Sequence, residues 1–352
     1  MITTRIIGRP LKILVALSGL LSTTAAQATP VLVVDAASHA VLYQEDAGAP
    51  WYPASTTKLM TALVTFEALR AGEVTLDTPV MITRNAARQA FLESGLTFGR
   101  TMTLEDALFA ALVASANDVA VALAEKVGGD LPAFIRRMNA QAERLGMNGT
   151  HFASPNGLFD KDNYTTARDL AILGLDIEKR FPEYRRFFEA AAVTIDGKEI
   201  KSNNQLLTRY AGTIGMKTGF LCASGRNYVG LASRNGRSVM IVMMGATTER
   251  ERNERAAQFM TEAFDNRLPT AGRVEALTNR TDATPPDMRA KLCTDASAAY
   301  EAERNALYPM GLPGHESFLK DDIPAVNHAI TTWATENVAD VPLPRPRPPE
   351  FQ

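Results

Sequence analysis

Two cysteines, four histidines and two tryptophans in 352 residues leave little material for the chemistries that depend on those side chains. His39, His151, His315 and His328 are scattered, with neither a His-Glu-x-x-His pair nor a Cys/His cluster. Zinc-type ligation needs ligands at such short spacings, so no metal site and no cofactor are expected. His151 is expected in a turn or satisfied by a local hydrogen bond. An excess of one charge is lacking too: 37 Lys and Arg stand against 39 Asp and Glu, a formal net charge of −2. Nucleic-acid binding needs a basic face, and nothing here encodes one. The apolar run at residues 13–21 is shorter than the roughly 20 residues of a membrane-spanning helix. No basic amphipathic helix closes the chain, so no peripheral membrane anchor is expected.

What is present begins with an ordered N-terminus. Arg5, Arg9 and Lys12 precede that apolar run, and small polar residues then lead to Ala26-Gln27-Ala28, an A-x-A cleavage pattern. The reading is a secretory signal peptide over 1–28, cut after Ala28, which places the protein in the periplasm or cell envelope. Taking its three cations from −2 leaves the mature chain at −5. An exported chain meets an oxidising compartment, so Cys222 and Cys293 form one disulfide or remain two thiols; the sequence supplies no distance to decide between them.

At 46% hydrophobic and 22% charged, the rest is ordinary globular material. Residues 31–35 and 40–43 read as two strands around a polar turn, a hairpin at a sheet edge. A helix is expected over 55–72, with Pro53 ahead of it and Gly72 as its stop. Helical patterns follow at 103–113, where Thr103 is an N-cap with Asp106 three residues on, and at 119–127, 132–145 and 165–177. Residues 148–164, rich in Asn, Gly, Asp and Ser, form a loop. Asp196-Gly197 and Asn235-Gly236 are two-residue hairpin turns. A last helix runs over 249–266. Strands at both ends with helices between them imply one sheet built from distant segments. From Leu268 the periodicity weakens, and 341–349 alternates prolines that hold the tail extended and disordered. Residues 268–352 are an extension whose role is not readable.

Three polar clusters interrupt otherwise apolar patterns. Ser55 and Lys58 lie three residues apart at the mouth of the first helix, one turn apart on one face, so an amine stands beside a hydroxyl. Ser115 and Asn117 sit at the break between two apolar helical runs. Lys217-Thr218-Gly219 leads towards the strands joined by Asn235-Gly236. Taken singly, each has a plainer reading: a common tetrapeptide, a helix cap, an edge-strand lysine.

In this order and behind a signal peptide, the trio is the Ser-x-x-Lys, Ser-x-Asn, Lys-Thr-Gly signature of penicillin-binding proteins and class A β-lactamases. From about Val31 to Asn266 the chain resembles the serine-type D-alanyl-D-alanine carboxypeptidases, low-molecular-mass penicillin-binding proteins. Leu145 to Phe152, Pro155-Asn156-Gly157, Thr166 to Asp169 and Asn203 to Leu207 resemble further segments of that family. Alanine at the centre of Ser115-Ala116-Asn117, and the lack of a Glu-x-x-Leu-Asn segment, fit carboxypeptidases better than class A β-lactamases.

The resemblance implies a β-lactamase/transpeptidase-like α/β fold, a mainly antiparallel sheet packed with helices plus a helical subregion. The catalytic domain is expected over 29–267. It implies removal of the terminal D-Ala from peptidoglycan pentapeptide stems through an acyl-enzyme on Ser55, and inhibition by β-lactams. Lys58 is the expected base; bringing its pKa from about 10.4 to about 7 costs roughly 4–5 kcal/mol, supplied by burial and a second cation, Lys217. Ser115 is expected to relay the proton to the leaving amine, and Asn117 to orient Lys58 and hold the substrate amide. Lys217 and Thr218 are expected to bind the terminal carboxylate, and bare Gly219 to admit substrate backbone. The N–H groups of Ser55 and Phe220 are expected to form the oxyanion hole. Arg252 is expected as a surface arginine on the last helix, a carboxylate contact being its other reading. Rival functions are a DD-endopeptidase cutting cross-links, a β-lactamase, and a catalytically silent wall-binding protein.

Overall fold

The computed structural model describes residues 29–90 and 94–335. The signal-peptide expectation for 1–28 and the disordered-tail expectation for 341–352 lie outside these residues. Among them no helix is long and apolar enough to cross a membrane.

β1 (Val31–Asp35) and β2 (Val41–Glu45) form the opening hairpin. α1 (Lys58–Arg70), β3 (Pro79–Met81), β4 (Arg100–Thr103), α2 (Leu104–Leu112), α3 (Asn117–Gly128) and α4 (Leu131–Arg144) then build a helical region. α5 (Ala167–Arg180), the short α6 (Arg186–Glu189), the hairpin β5 (Ala192–Ile195) and β6 (Lys198–Lys201), and α7 (Leu206–Arg209) lead back to the sheet. β7 (Thr213–Leu221), β8 (Gly225–Arg234), β9 (Arg237–Ala246) and α8 (Glu249–Phe264) complete the body. The main sheet runs β2-β1-β9-β8-β7, antiparallel throughout.

The two-residue period of its strands decides the layers. In β1, Leu32 and Val34 point into a core shared with α1, α2, α3 and α5, whereas Val31 and Val33 point into a second core with Ala256, Ala257 and Met260 of α8. β9 divides likewise, with Met240 and Val242 to one side and Val239 and Ile241 to the other. A sheet buried on both faces needs such unbroken apolar runs. Both expected hairpin turns put their central residues at positive φ: Asp196 and Gly197 at 47° and 88°, Asn235 and Gly236 at 51° and 78°. Thr103 caps α2 by accepting from the Asp106 amide at 3.1 Å.

The expected helix 55–72 begins later. Ala54–Thr57 is a 3-10 turn, and α-helical geometry starts at Lys58. The loop at Gly157 packs against this turn so closely that a Cβ there would lie 1.9 Å from the Ala54 carbonyl oxygen.

The extension lies along the body in short pieces. It follows β2 through the Val41 amide bonded to Gly272 O, then passes the tip of β7 at α9 (Arg289–Leu292). α10 (Ser297–Leu307) packs on α8. β10 (Asn327–Ile330) then adds parallel to β5, and β11 (Trp333–Ala334) adds antiparallel to β4. Cys222 and Cys293 form a disulfide across a sequence separation of 71, with Cα atoms 5.8 Å apart.

Candidate active site

In a 3-10 turn residues i and i+3 eclipse, so Ser55 and Lys58 stack directly. Lys58 is fully buried, and its Nζ contacts three oxygens: Ser55 Oγ at 3.0 Å, Asn117 Oδ1 at 2.8 Å and the Asn156 carbonyl at 2.8 Å. The last two only accept, so they take two N–H bonds. The remaining tetrahedral position of Nζ points at the Ser55 hydroxyl, as a third N–H when charged and as a lone pair when neutral. Burial, then the nearby Lys217 cation, hold the Lys58 pKa well below its ordinary value, against the opposing pull of Asp118.

Lys217 enters from edge strand β7 and donates to Ser115 Oγ at 3.0 Å and to the Thr218 carbonyl at 3.0 Å. Burial, with the Arg252 charge beside it, brings its pKa to about 7. Ser115 stands between α2 and α3 at φ 59°, a left-handed conformation that turns its hydroxyl out of the helical path. The two serine–lysine pairs therefore meet at one cleft.

Gly219 closes the geometry. A Cβ there would lie 2.9 Å from the Ser55 amide nitrogen and 3.1 Å from Pro53 O, so only a bare backbone lets β7 approach the turn. The Asn227 amide on β8 donates to Tyr52 O and Pro53 O at 2.9 and 3.0 Å, tying the turn to the sheet. The cleft, of about 380 Å³, is lined by Ser55, Ser115, Asn117, Thr218, Gly219 and Phe220, with Lys58 and Lys217 bonded to its two serines. All eight residues proposed from the sequence meet here.

Arg252 departs from its expected surface position. It is 2% exposed and lines the cleft; its guanidinium donates to Asn203 O at 2.6 Å and to Asn253 Oδ1 at 3.0 Å. Burial lowers its pKa to about 10. The helix carrying it is covered on one side by the sheet and on the other by the extension, which the polar sequence of α8 does not announce.

Sequence reasoning also left out Asn156, Asp118 and Arg289. Asn156 acts through its backbone carbonyl, invisible to side-chain reasoning, although Pro155-Asn156-Gly157 stood out as a segment. Its loop is held by Asp169, which accepts from the Gly149 amide at 2.9 Å and Thr150 Oγ1 at 2.8 Å. Asp118 is buried, accepts from Ser94 Oγ, and its pKa is raised by that burial. Arg289 reaches the cleft from the extension, where no periodicity pointed to it.

Residues 20–248 match the family described as D-alanyl-D-alanine carboxypeptidase. Over 247 residues the chain is 29% identical to the D-alanyl-D-alanine carboxypeptidase DacF of Bacillus subtilis, an overlap of 69% of this chain and 64% of that relative. It thus spans slightly less than two thirds of the relative's length. Among solved structures it is similar to penicillin binding protein 5 from Haemophilus influenzae, with TM-score 0.65 and 30% identity over 68% of this chain and 71% of the other. Penicillin-Binding Protein D2 from Listeria monocytogenes, in its ampicillin-bound form, aligns with TM-score 0.62 and 30% identity over 67% of this chain and 97% of the other. The α/β architecture of a mainly antiparallel sheet between helices is the fold of these penicillin-binding proteins.

Proposed function

The chain belongs to the D-alanyl-D-alanine carboxypeptidase family, and from that premise we propose that it removes the terminal D-Ala from peptidoglycan pentapeptide stems through a serine acyl-enzyme. The observation that carries the reading is Lys58, buried, with two N–H groups tied down and its last position aimed at Ser55 Oγ. A structural lysine gains nothing from such desolvation; a base for a serine nucleophile requires it.

The substrate lies as an added strand on the free edge of β7. Its terminal carboxylate meets Lys217 and Thr218, with Arg252 behind them, a charge-assisted contact that selects free C-termini. Ser55 Oγ attacks the carbonyl of the D-Ala-D-Ala bond while Lys58 Nζ takes the hydroxyl proton. The oxyanion receives the N–H groups of Ser55 and Phe220; loss of one such donor is worth about 10²–10³ in rate. Asn117 holds Lys58 and the substrate amide. As the C–N bond breaks, the proton held by Lys58 is relayed through the Ser115 hydroxyl to the departing amine, so free D-Ala leaves and Lys58 is neutral again. Water then attacks the ester with Lys58 again as base, releasing the shortened peptide and restoring Ser55. Export by the N-terminal signal segment brings the enzyme to this substrate in the cell envelope. β-Lactams acylate the same serine.

Fluorescent penicillin labelling of the wild type and of Ser55→Ala tests the centre: the wild type labels and the variant does not. Purified muropeptides test the reaction. Release of D-Ala from monomeric pentapeptide is expected, whereas cleavage of cross-linked dimers alone would assign an endopeptidase, and penicillin turnover within seconds a β-lactamase.

A further inference from the structure

Two arginine–phenylalanine stacks flank the mouth of the cleft. The Arg226 guanidinium lies over the Phe220 ring at 4.6 Å, and that of Arg289 over Phe159 at 4.0 Å. Both rings are nearly half exposed, Phe220 at 46% and Phe159 at 44%, although each lines the cleft. Arg289 belongs to the extension, beyond the residues that match the family. Its backbone is held at the tip of β7 by the Met288 amide, which donates to Ala223 O at 3.0 Å, and by the Cys222–Cys293 disulfide.

Register along β7 says what this arginine would meet. Lys217 and Thr218 mark the carboxylate end of a bound peptide, and Gly219 lies against the Ser55 amide. A peptide paired with β7 in that orientation runs antiparallel to it, so its upstream residues pass Phe220, Leu221 and Cys222. At about 3.3 Å per residue, Leu221 is about 7 Å beyond Gly219, level with the residue before the D-Ala-D-Ala pair. A long side chain at that position extends to the mouth, where Arg289 stands. One of its five N–H groups bonds Asp287 Oδ2 at 2.5 Å, leaving donors for a second carboxylate. An exposed pair of this kind is weak enough to accept a further partner.

We propose that Arg289 is a specificity-determining residue that favours stem peptides carrying a carboxylate on the side chain preceding D-Ala-D-Ala, as a diaminodicarboxylic acid does and lysine does not. The inference rests on the carboxypeptidase reading above. The test compares three purified pentapeptides differing at that position: free diaminopimelate, diaminopimelate amidated at its side-chain carboxylate, and lysine. With wild-type protein, kcat/KM is expected to be about tenfold higher for the free carboxylate, the scale of one half-exposed charge-assisted hydrogen bond. The difference should lie in KM. Arg289→Ala should bring the three substrates within about twofold of one another through loss on the free-carboxylate peptide, and Arg289→Lys should restore part of the preference. Equal loss on all three peptides, or no preference in the wild type, would overturn the proposal while leaving the carboxypeptidase reading standing. A wild type that cleaves none of them would refute both.

Discussion

Lys58 and Lys217 are two buried lysines in one site, each with its pKa lowered by burial and by a neighbouring cation. On the proposed mechanism Lys58 acts as the neutral amine and Lys217 binds as the charged one. In the free enzyme kcat/KM should rise with pH as Lys58 loses its proton, then fall above about 7 as Lys217 does. A bound carboxylate favours the charged form of Lys217, so the alkaline limb of kcat should lie at higher pH than that of kcat/KM. Initial rates from pH 5 to 10 with a monomeric pentapeptide would show it, and coincident alkaline limbs would remove Lys217 from carboxylate binding. The same shift acts on stability. With Lys217 lowered from 10.5 to about 7, the unfolded chain holds a proton between those values that the folded chain has released. Stability therefore rises with pH across that window, and the cost of burial stands in full below it. Lys217→Met should be inactive yet more stable at pH 7, by on the order of 4 kcal/mol, with the gain shrinking towards pH 10. Urea unfolding at the two pH values measures both amounts.

At the scale of elements, the site is a 3-10 turn pressed between an edge strand and a loop. At Gly219 and Gly157 an added Cβ would collide with that turn. Gly219→Val should leave the protein folded, because the edge strand accepts a β-branched residue, but it pushes the Ser55 amide out of place. Penicillin acylation should fall by about 10²-fold or more, the weight of a displaced oxyanion donor; stopped-flow labelling reads this directly. The elements themselves were largely legible. An unbroken apolar run marked β1, and Asp-Gly and Asn-Gly marked two turns, because each signal depends only on near neighbours. The start of α1 was not legible, since Ala54–Thr57 can be α or 3-10 by propensity, and the loop at Gly157 that packs against this turn lies far along the chain. Arg252 was misplaced for a similar reason: α8 has the charged sequence of a surface helix, and its cover comes from elsewhere.

Over the whole molecule, that cover is the extension. Glu251, fully buried on α8, pairs with Arg255 of its own helix and Arg304 of α10, while Glu254 accepts from Ser317 Oγ and the Phe318 amide. Truncation after residue 267 would strip these carboxylates of their extension partners and open to water the face of α8 that the extension covers. The truncated protein is expected to unfold at lower temperature and to lose Arg289 from the cleft. The disulfide adds a covalent tie. Closing a loop of this length, 71 residues apart in sequence, contributes about 4 kcal/mol in the chain-entropy picture, so Cys222→Ser/Cys293→Ser should lower the urea midpoint accordingly.

Local order was settled by the sequence alone: strand and turn positions, helix caps, and the types and order of the eight residues that meet at the cleft. Such features depend on residues within a few positions of one another, or on motifs whose meaning travels with them. Only the tertiary structure decided which distant atoms complete the site. The Asn156 carbonyl that ties down Lys58, the burial that lowers two lysines, the inward face of Arg252 and the arrival of Arg289 all arise where segments far apart in the chain pack together. Packing sets exposure and field at each point, and neither is a property of any residue taken by itself.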